Sequence, residues 1–501
     1  MDDWIRRAIN YQVNLRSLSA REPRNAIEAA NEQELATSPL AYLARNVSVL
    51  AELGINVLNI MPPFPMGKSV RKGIGSPYSV RNFRGVDPEY GSLDDLRTCI
   101  GATHRNRLKF LIDMVPNHTS RDHGWIEHNP EYYVRGSSGT LVNDADWTDT
   151  AKLDYTNPAL RQDMIEIFDF WLSLLGEDED GVVQGVDGFR VDGAYLVNDR
   201  SFWTEALQEL RSRHPGRNLL FIAECYGSRD ALDLFQRGFN AAYDDDFHKV
   251  CTNLYGVDAS GQTALIESPD IANQADFAPS LEAYRARGIA GAFERILAEY
   301  EESSGSRPDS PRLVRYTDNH TAGRGVHRFG DGGVLAVNQL IFLAGHTIPF
   351  LLTGQEFGAE NLPPIHIRLG ANDKSRRIQR GGAIQEVPGI EFEGNLFARG
   401  RLRRRGWYEF YKDLITLRLK NPELTEGNFR LLESGEQCPE NKRTVVAFER
   451  KHGESLMRCA VNVGPESRKL AHASLFQYEP LYGAIFEGAL PPFTSVVVRC
   501  D

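Results

Sequence analysis

The sequence lacks the segments that would send the chain into or through a membrane. No stretch of about 18 consecutive apolar residues, the length that a transmembrane helix needs, occurs among the residues of the chain. The first residues, Met1 to Arg7, contain no apolar segment of the kind that a secretory signal peptide carries. We therefore expect a cytoplasmic protein with no membrane partner.

Cysteine is scarce, and its spacing does not indicate a metal site or a disulfide framework. The six cysteines are scattered, and no two of them stand in a C-x-x-C arrangement. Buried free thiols are the expected state. No internal repeat, low-complexity linker or phosphate-binding glycine-rich loop is present, and we predict neither a cofactor nor a bound metal ion.

An excess of positive charge is also missing. Fifty-seven Lys and Arg stand against 68 Asp and Glu, which gives a net charge of −11. This balance disfavours nucleic acid and anionic membranes as partners and fits a small neutral substrate. The basic run 399–405 is accordingly expected to be a solvated loop that leads into a helix. The sequence leaves the oligomeric state open.

What the sequence does contain is an alternation of short apolar runs with longer helical patterns, which is typical of a parallel α/β fold. Helical periodicity is clear at 160–175, 202–213, 283–301 and 408–419. Eight runs are candidate strands: 11–15, 57–61, 110–113, 188–192, 219–224, 241–244, 313–317 and 348–352. Eight strands separated by helices predict a (β/α)8 TIM barrel.

Two additions to the barrel are predicted. The segment 119–157 is rich in Gly, Asn, Asp, Ser and aromatic residues and lacks helical periodicity, so we expect an inserted lobe after the third strand. Short alternating stretches in 422–501 are typical of an antiparallel β-sandwich domain. The barrel would then comprise residues 1–118 and 158–421.

Four carboxylates fall at or just past the ends of predicted strands, where barrel enzymes place their working residues. They are Asp113, Asp192, Glu224 and Asp318. Arg190 precedes Asp192 by two residues, so both side chains point to the same side of a strand and the guanidinium favours an ionised Asp192. Glu224 ends an apolar strand, which is expected to raise its pKa. In a retaining cleavage of a glycosidic bond, which needs two such carboxyl groups, Asp192 is the candidate nucleophile and Glu224 the candidate general acid and then base.

The segments around these residues resemble the conserved regions of the α-amylase family of glycoside hydrolases, in its small-oligosaccharide branch. The matching segments are Asp113-x-x-x-Asn117-His118, Gly188-Phe189-Arg190-x-Asp192, Phe221-Ile222-Ala223-Glu224 and the second-strand segment 54–63. The resemblance implies the same roles for Asp192 and Glu224.

The resemblance also implies a set of substrate-binding residues. His118 and His320 would form hydrogen bonds with hydroxyls of the sugar being cleaved. Tyr78 would stack under that sugar, and Asp113 would support Arg190. Arg324 matches an arginine that often follows the fourth region in this branch, and pairing with a nearby carboxylate is its alternative role.

The fourth region departs from the family at its last residue. Tyr316 to His320 is followed by Thr321, where the family has an aspartate that holds two sugar hydroxyls and stabilises the transition state. Threonine carries no charge, and charged hydrogen bonds are about twice as strong as neutral ones. Asp318 is no replacement, because three residues of extended chain span about 10 Å. We expect slow ordinary hydrolysis, or a sugar that is not plain glucose or is held differently.

A second departure concerns calcium. Lys152 and the pair Tyr195-Leu196 stand where calcium-dependent members carry an aspartate and a Lys-His pair. Lysine is not an oxygen ligand for calcium. The resemblance therefore implies that the calcium site of those members is absent.

Two classes of function remain. The first is a retaining α-glycosidase or transglycosylase for short α-linked glucosides, with hydrolysis, transfer and isomerisation all open and phosphorolysis disfavoured. The second is a catalytically weakened relative that binds carbohydrate or another protein, and Thr321 favours it. The retention of Arg190, Asp192, Glu224 and both histidines argues for the enzyme. Linkage preference and substrate length are not encoded in any motif of the chain.

Overall fold

Eight parallel strands form a closed barrel. The computed structural model describes residues 3–18, 38–258, 260, 262–265, 278–304, 310–360, 365, 375–380, 383–388, 406–433 and 436–500. The barrel strands are β1 (Asn10–Val13), β2 (Val57–Ile60), β3 (Lys109–Met114), β4 (Gly188–Val191), β5 (Leu220–Ala223), β6 (Ala241–Tyr243), β7 (Arg312–Arg315) and β8 (Thr347–Leu352). All eight predicted strands are confirmed to within two residues at either end, and so is the barrel.

Helices follow the strands and pack around the barrel. They are α1 (Pro39–Leu53), α2 (Leu93–Arg105), α3 (Pro158–Leu172), α4 (Ser201–Arg213), α5 (Ser228–Gln236), α6 (Ala278–Ser304), α7 (Gly325–Leu343) and α8 (Trp407–Lys420). Further helices span Asp3–Arg6, Trp125–His128, Asp245–Leu254 and Pro422–Glu426. The four predicted helical patterns correspond to α3, α4, α6 and α8.

Local sequence explains where the first two barrel helices begin. The Ser38 side chain accepts a hydrogen bond from the backbone N–H of Ala41 at the start of α1. Ser92 and Asp95 form a reciprocal capping box at the start of α2. Such caps satisfy backbone groups that have no partner inside the helix.

The strand register brings the polar residues of neighbouring strands to one level. Asp113 on β3 lies opposite Arg190 on β4, so the two side chains share the inner face of the barrel. The backbone of Leu220 approaches Gly188 closely, and a Cβ at position 188 would lie 1.9 Å from the carbonyl oxygen of Leu220. This register therefore requires a residue without a side chain at position 188. Gly188 also has φ +151°, which disfavours any residue with a side chain.

The segment after β3 leaves the barrel and returns to it through an antiparallel pair, His118–Ser120 with Thr150–Lys152. Further two-stranded pairs are Gly176–Glu177 with Val183–Gln184, Tyr255–Val257 with Thr263–Leu265, and Ser375–Arg380 with Ala383–Pro388. These pairs lie outside the barrel sheet.

An antiparallel sheet at the C-terminus confirms the predicted β addition. Its five strands are Asn428–Leu432, Val445–His452, Ser455–Asn462, Pro480–Gly483 and Ser495–Arg499, and a separate pair joins Arg468–Lys469 to Ala489–Leu490. Four of the six cysteines, Cys99, Cys225, Cys251 and Cys459, are buried free thiols. The basic run 399–405 lies outside the described residues. Among the residues that are described, no helix has the length and hydrophobicity to cross a membrane.

Candidate active site

One guanidinium contacts three carboxylates at the C-terminal end of the barrel. Nη1 of the fully buried Arg190 lies 2.8 Å from Asp113 Oδ1 and 2.8 Å from Asp192 Oδ1. Nη2 lies 2.6 Å from Glu224 Oε1. That last contact is an ion pair without hydrogen-bond alignment, because no acceptor is aligned with the N–H bonds of Nη2. The strand ends of β3, β4 and β5 thus bring three distant parts of the sequence to one point.

The charge at this point is unbalanced, since one cation faces three buried carboxyl groups. Burial, with the charge of Asp192 and against the opposing charge of Arg190, raises the pKa of Glu224 to about 6. Burial, with the same two carboxylates, raises the pKa of Asp113 to about 8. A single guanidinium cannot neutralise three anions, so the upward direction is the physically expected one. The cluster therefore retains a proton near neutral pH.

Glu224 is held in place by two donors. The backbone N–H of Gly193 donates to its Oε2 at 2.9 Å, and the hydroxyl of Tyr226 donates to its Oε1 at 3.2 Å. Glu224 and Asp192 contact the same guanidinium, at 2.6 and 2.8 Å, so the two carboxyl groups lie close to each other.

The aromatic residues implied by the resemblance surround this cluster. The Tyr78 hydroxyl donates to Asp113 Oδ2 at 3.0 Å and contacts His320 Nε2 at 2.8 Å. The two rings are stacked, with centroids 5.3 Å apart and an interplanar angle of 14°. His118 Nε2 lies 3.0 Å from the carbonyl oxygen of Tyr78, and burial lowers the pKa of His118 to about 4. His118 is therefore neutral at pH 7, and its one ring N–H, on Nε2, donates to that carbonyl oxygen.

Thr321 is exposed in a tight turn beside these residues. The side-chain oxygen of Asn319 accepts hydrogen bonds from the backbone N–H groups of Thr321 and Ala322, which shapes the turn. Asp318 faces away from the cluster. It is buried, accepts from the backbone N–H of Gly325 at 3.0 Å, and pairs with Arg324 at 3.3 Å. The structure thus places Arg324 against a carboxylate, the alternative role that the sequence left open.

Lys152, which stands where calcium-dependent family members carry an aspartate, connects the lobe to the barrel. The Lys152 ammonium lies 2.6 Å from Asp144 Oδ1, and the side-chain amide of Asn117 donates to Asp144 Oδ2 at 2.8 Å. Asn117 immediately precedes His118, so this contact supports the wall of the site. Within the described ranges, no group of three or more His, Cys, Asp or Glu has an arrangement suited to a metal ion.

Several residues of the site were not predicted from the sequence. The Tyr243 hydroxyl lies 3.3 Å from Arg190 Nε, and Gln12 Oε1 lies 3.1 Å from His320 Nδ1. Tyr226 contacts Glu224 and packs edge-on against Tyr195, with ring centroids 5.6 Å apart. Tyr243 and Gln12 lie on barrel strands close to the C-terminal rim, which is the one signal that would have pointed to them.

Comparisons with known proteins point to the same family as the sequence motifs. A family model described as "Alpha amylase, catalytic domain" matches residues 40–149. The "Alpha-amylase 3" of Dictyoglomus thermophilum is 23% identical over 483 residues, which cover 89% of this chain and 83% of that protein. The chain is thus similar to the α-amylase family of glycoside hydrolases, through the family model over residues 40–149 and through an α-amylase over most of its length.

Two further comparisons concern a part of the sequence and the fold. The "Trehalose synthase/amylase TreS" of Mycolicibacterium smegmatis is 27% identical over 263 residues, which are 44% of this chain but only 40% of that protein. The crystal structure of an α-amylase from Lactobacillus plantarum has a TM-score of 0.69 at 19% identity and covers 100% of both chains. The structural match bears on the fold alone. The family model ends before Asp192 and Glu224, so their roles rest on the geometry described above.

Proposed function

We propose that this α-amylase-type enzyme cleaves or transfers short α-linked glucosides by a retaining double displacement. Asp192 is the nucleophile and Glu224 is the acid and base. The observation that carries the proposal is the shared guanidinium of Arg190, which lies 2.8 Å from Asp192 and 2.6 Å from Glu224. Retention needs two carboxyl groups about 5 Å apart, and a guanidinium that contacts both supports a close approach of this kind.

In the first step, an oxygen of Asp192 forms a bond to the anomeric carbon while the bond to the leaving oxygen breaks. Glu224 gives its proton to that leaving oxygen, and its pKa of about 6 keeps part of the population protonated near neutrality. In the second step, water or a sugar hydroxyl attacks the anomeric carbon. The ionised Glu224 takes its proton, and the bond to Asp192 breaks.

The neighbouring side chains support this sequence of events. Arg190 stabilises the ionised carboxylate with which Asp192 attacks and which it regains in the second step. Tyr78 and His320 form one wall beside this carboxylate. His118 joins the same wall through its hydrogen bond to the carbonyl of Tyr78. Together these groups offer aromatic surface and polar atoms to a sugar ring and its hydroxyls. Such a lining suits a carbohydrate substrate.

Thr321 points to a narrow set of substrates. One similar protein is named both trehalose synthase and amylase, which supports keeping more than one reaction open for this chain. In this chain the uncharged, exposed Thr321 would withhold the charged hydrogen bonds that the family's aspartate gives to two hydroxyls of a plain glucosyl unit. A glucosyl unit modified at those hydroxyls, or a transfer reaction with a bound acceptor, loses less from this change.

A substrate panel followed by proton NMR tests the proposal. Maltose, trehalose, sucrose, maltotriose and 2- or 3-modified α-glucosides are incubated with the protein, and the anomeric form of the first product is recorded. We expect the α-anomer to appear first with at least one substrate, and we expect Asp192→Asn and Glu224→Gln to abolish or strongly reduce that turnover. A β-anomer as the first product would contradict retention.

A second candidate function is carbohydrate binding without turnover, and the exposed, uncharged Thr321 is the observation that favours it. Calorimetry on the same panel distinguishes the two candidates. Saturable binding of an α-glucoside with no product formed, and with equal affinity in wild type and Asp192→Asn, would support the binding role and exclude the enzyme.

A further inference from the structure

Buried arginines converge on the C-terminal end of helix α7, at the end of the barrel opposite the active site. Arg418 donates to the carbonyl oxygens of Phe342 and Thr347, both at 2.6 Å. Arg450 donates to the carbonyl of Leu343 at 2.9 Å and to that of Gly427 at 2.8 Å. Carbonyls at a helix end carry partial negative charge, so part of both guanidinium groups has a structural explanation.

The remaining donors of this cluster have no such explanation. Nε and Nη2 of Arg312, Nε of Arg418 and Nε of Arg450 are buried without a hydrogen-bond partner in the part of the chain that the structure describes. Arg312 is 1% exposed, and the other two arginines are 0% exposed. The ring nitrogens of His346, whose carbonyl accepts from the backbone N–H beside Arg312, are also without a hydrogen bond. Burying a charge without a partner is strongly unfavourable.

The nearest carboxylates have other partners. Glu301 lies 3.3 Å from His346 Nε2, close but not aligned for a hydrogen bond. Glu423 pairs with Arg499 at 3.0 Å and accepts from the hydroxyl of Ser455 at 2.6 Å. Three guanidinium groups thus stand against two carboxylates, so the cluster keeps an excess of positive charge.

Two of the guanidinium groups donate to carbonyls at the end of α7, Arg418 to Phe342 and Arg450 to Leu343, so they lie close together. Burial, together with the charge of Arg450, lowers the pKa of Arg312 to about 10. Burial and then the charges of Arg450 and Arg312 lower the pKa of Arg418. At neutral pH Arg312 and Arg450 remain cationic, so a compensating negative charge would stabilise the folded state.

We propose that Arg312, Arg418 and Arg450 hold a small monovalent anion of the chloride type. Such an ion accepts hydrogen bonds from any direction, which suits donors that come from three different elements. A multivalent oxyanion would have to lose far more hydration in a site lined by fully buried side chains. Arg312 belongs to the barrel and Arg450 to the C-terminal sheet, so the ion links the two parts.

The test is thermal unfolding at constant ionic strength, with chloride exchanged for gluconate. We expect a saturable rise in Tm of roughly 2 °C or more with chloride. Arg312→Met is expected to lose this rise, and phosphate is expected to give no larger rise than chloride does. Arg217→Met is the matched control, because Arg217 is a largely buried arginine that donates to two carbonyls, those of Leu172 and Val186. It should keep the response to chloride.

Crystals soaked in bromide locate the ion independently of any variant. An anomalous peak within about 3.5 Å of Arg312 Nε or Nη2 is the expected result, and it decides the matter even if Arg312→Met does not fold. Equal Tm values in chloride and gluconate, a chloride response that survives in Arg312→Met, or stabilisation by phosphate alone would each overturn the proposal. So would a bromide peak found only elsewhere, for example at Arg190.

Discussion

Glu224→Gln is the substitution with the sharpest expected effect on activity. A general acid must carry its proton, and burial raises the pKa of Glu224 from 4.5 to about 6. The protonated fraction is then about one half at pH 6 and about one hundredth at pH 8. We therefore expect kcat/KM for a substrate with a poor leaving group to fall by about 50-fold between these pH values.

The assay compares an alkyl or sugar α-glucoside with α-glucosyl fluoride, whose leaving group needs little protonation. Glu224→Gln should reduce turnover of the first substrate by roughly 10²–10⁴-fold and remove the basic limb of its pH profile. Formation of the glycosyl-enzyme from the fluoride should be much less affected. A basic limb near pH 6 that persists in Glu224→Gln would refute the assignment of the acid.

The same variant has a consequence for stability. A carboxyl group whose pKa is higher in the folded than in the unfolded state destabilises the fold once it ionises. The penalty develops between pH 4.5 and about 6 and stays constant above. The difference corresponds to about 2 kcal/mol, so Glu224→Gln should raise the free energy of unfolding by up to about that amount at pH 8 and by little at pH 4. Urea denaturation at the two pH values measures this.

Three further substitutions test other parts of the account. Thr321→Asp should raise kcat/KM for maltooligosaccharides by at least about tenfold. Thr321→Ser is the control and should leave kcat/KM unchanged. If Thr321→Asp gives no gain, the missing charge at this position does not limit hydrolysis. Lys152→Met breaks the partly buried pair with Asp144 and should cost roughly 1–3 kcal/mol in urea denaturation, whereas a chelator should leave the wild-type Tm unchanged. Gly188→Ala places a methyl group against the Leu220 carbonyl and should cost more than about 4 kcal/mol, which circular dichroism would show as loss of the folded state.

The barrel was predictable because each of its strands is a short apolar run bounded by turns and helical patterns. Such a strand is buried on both faces, so its sequence differs clearly from the amphipathic helices around it. Strand boundaries shifted by one or two residues, as at β1 and β7, because the last residues of a run also belong to the loops that build the site. The long helix α6 runs from Ala278 to Ser304 but contains a non-helical residue, Gly288, that periodicity alone does not reveal.

The site was predictable only where one strand carries a whole motif. Arg190 and Asp192 share β4, so their contact follows from a two-residue spacing. The contact between Tyr78 and His320 joins residues 242 positions apart and depends on how two loops fold over the rim. No local pattern encodes such a contact. The direction of Asp318 was also beyond the sequence, because it depends on the turn that Asn319 forms and on the pairing with Arg324.

A covalent adduct on Asp192 is the most direct evidence for or against the double displacement. The protein is incubated with a fluorinated α-glucosyl fluoride that forms the glycosyl-enzyme faster than it is released, and intact mass is followed by peptide mapping. We predict a mass increase of one fluoro-sugar, located on Asp192 and absent in Asp192→Asn. An adduct on another residue, or one that persists in Asp192→Asn, would contradict the mechanism.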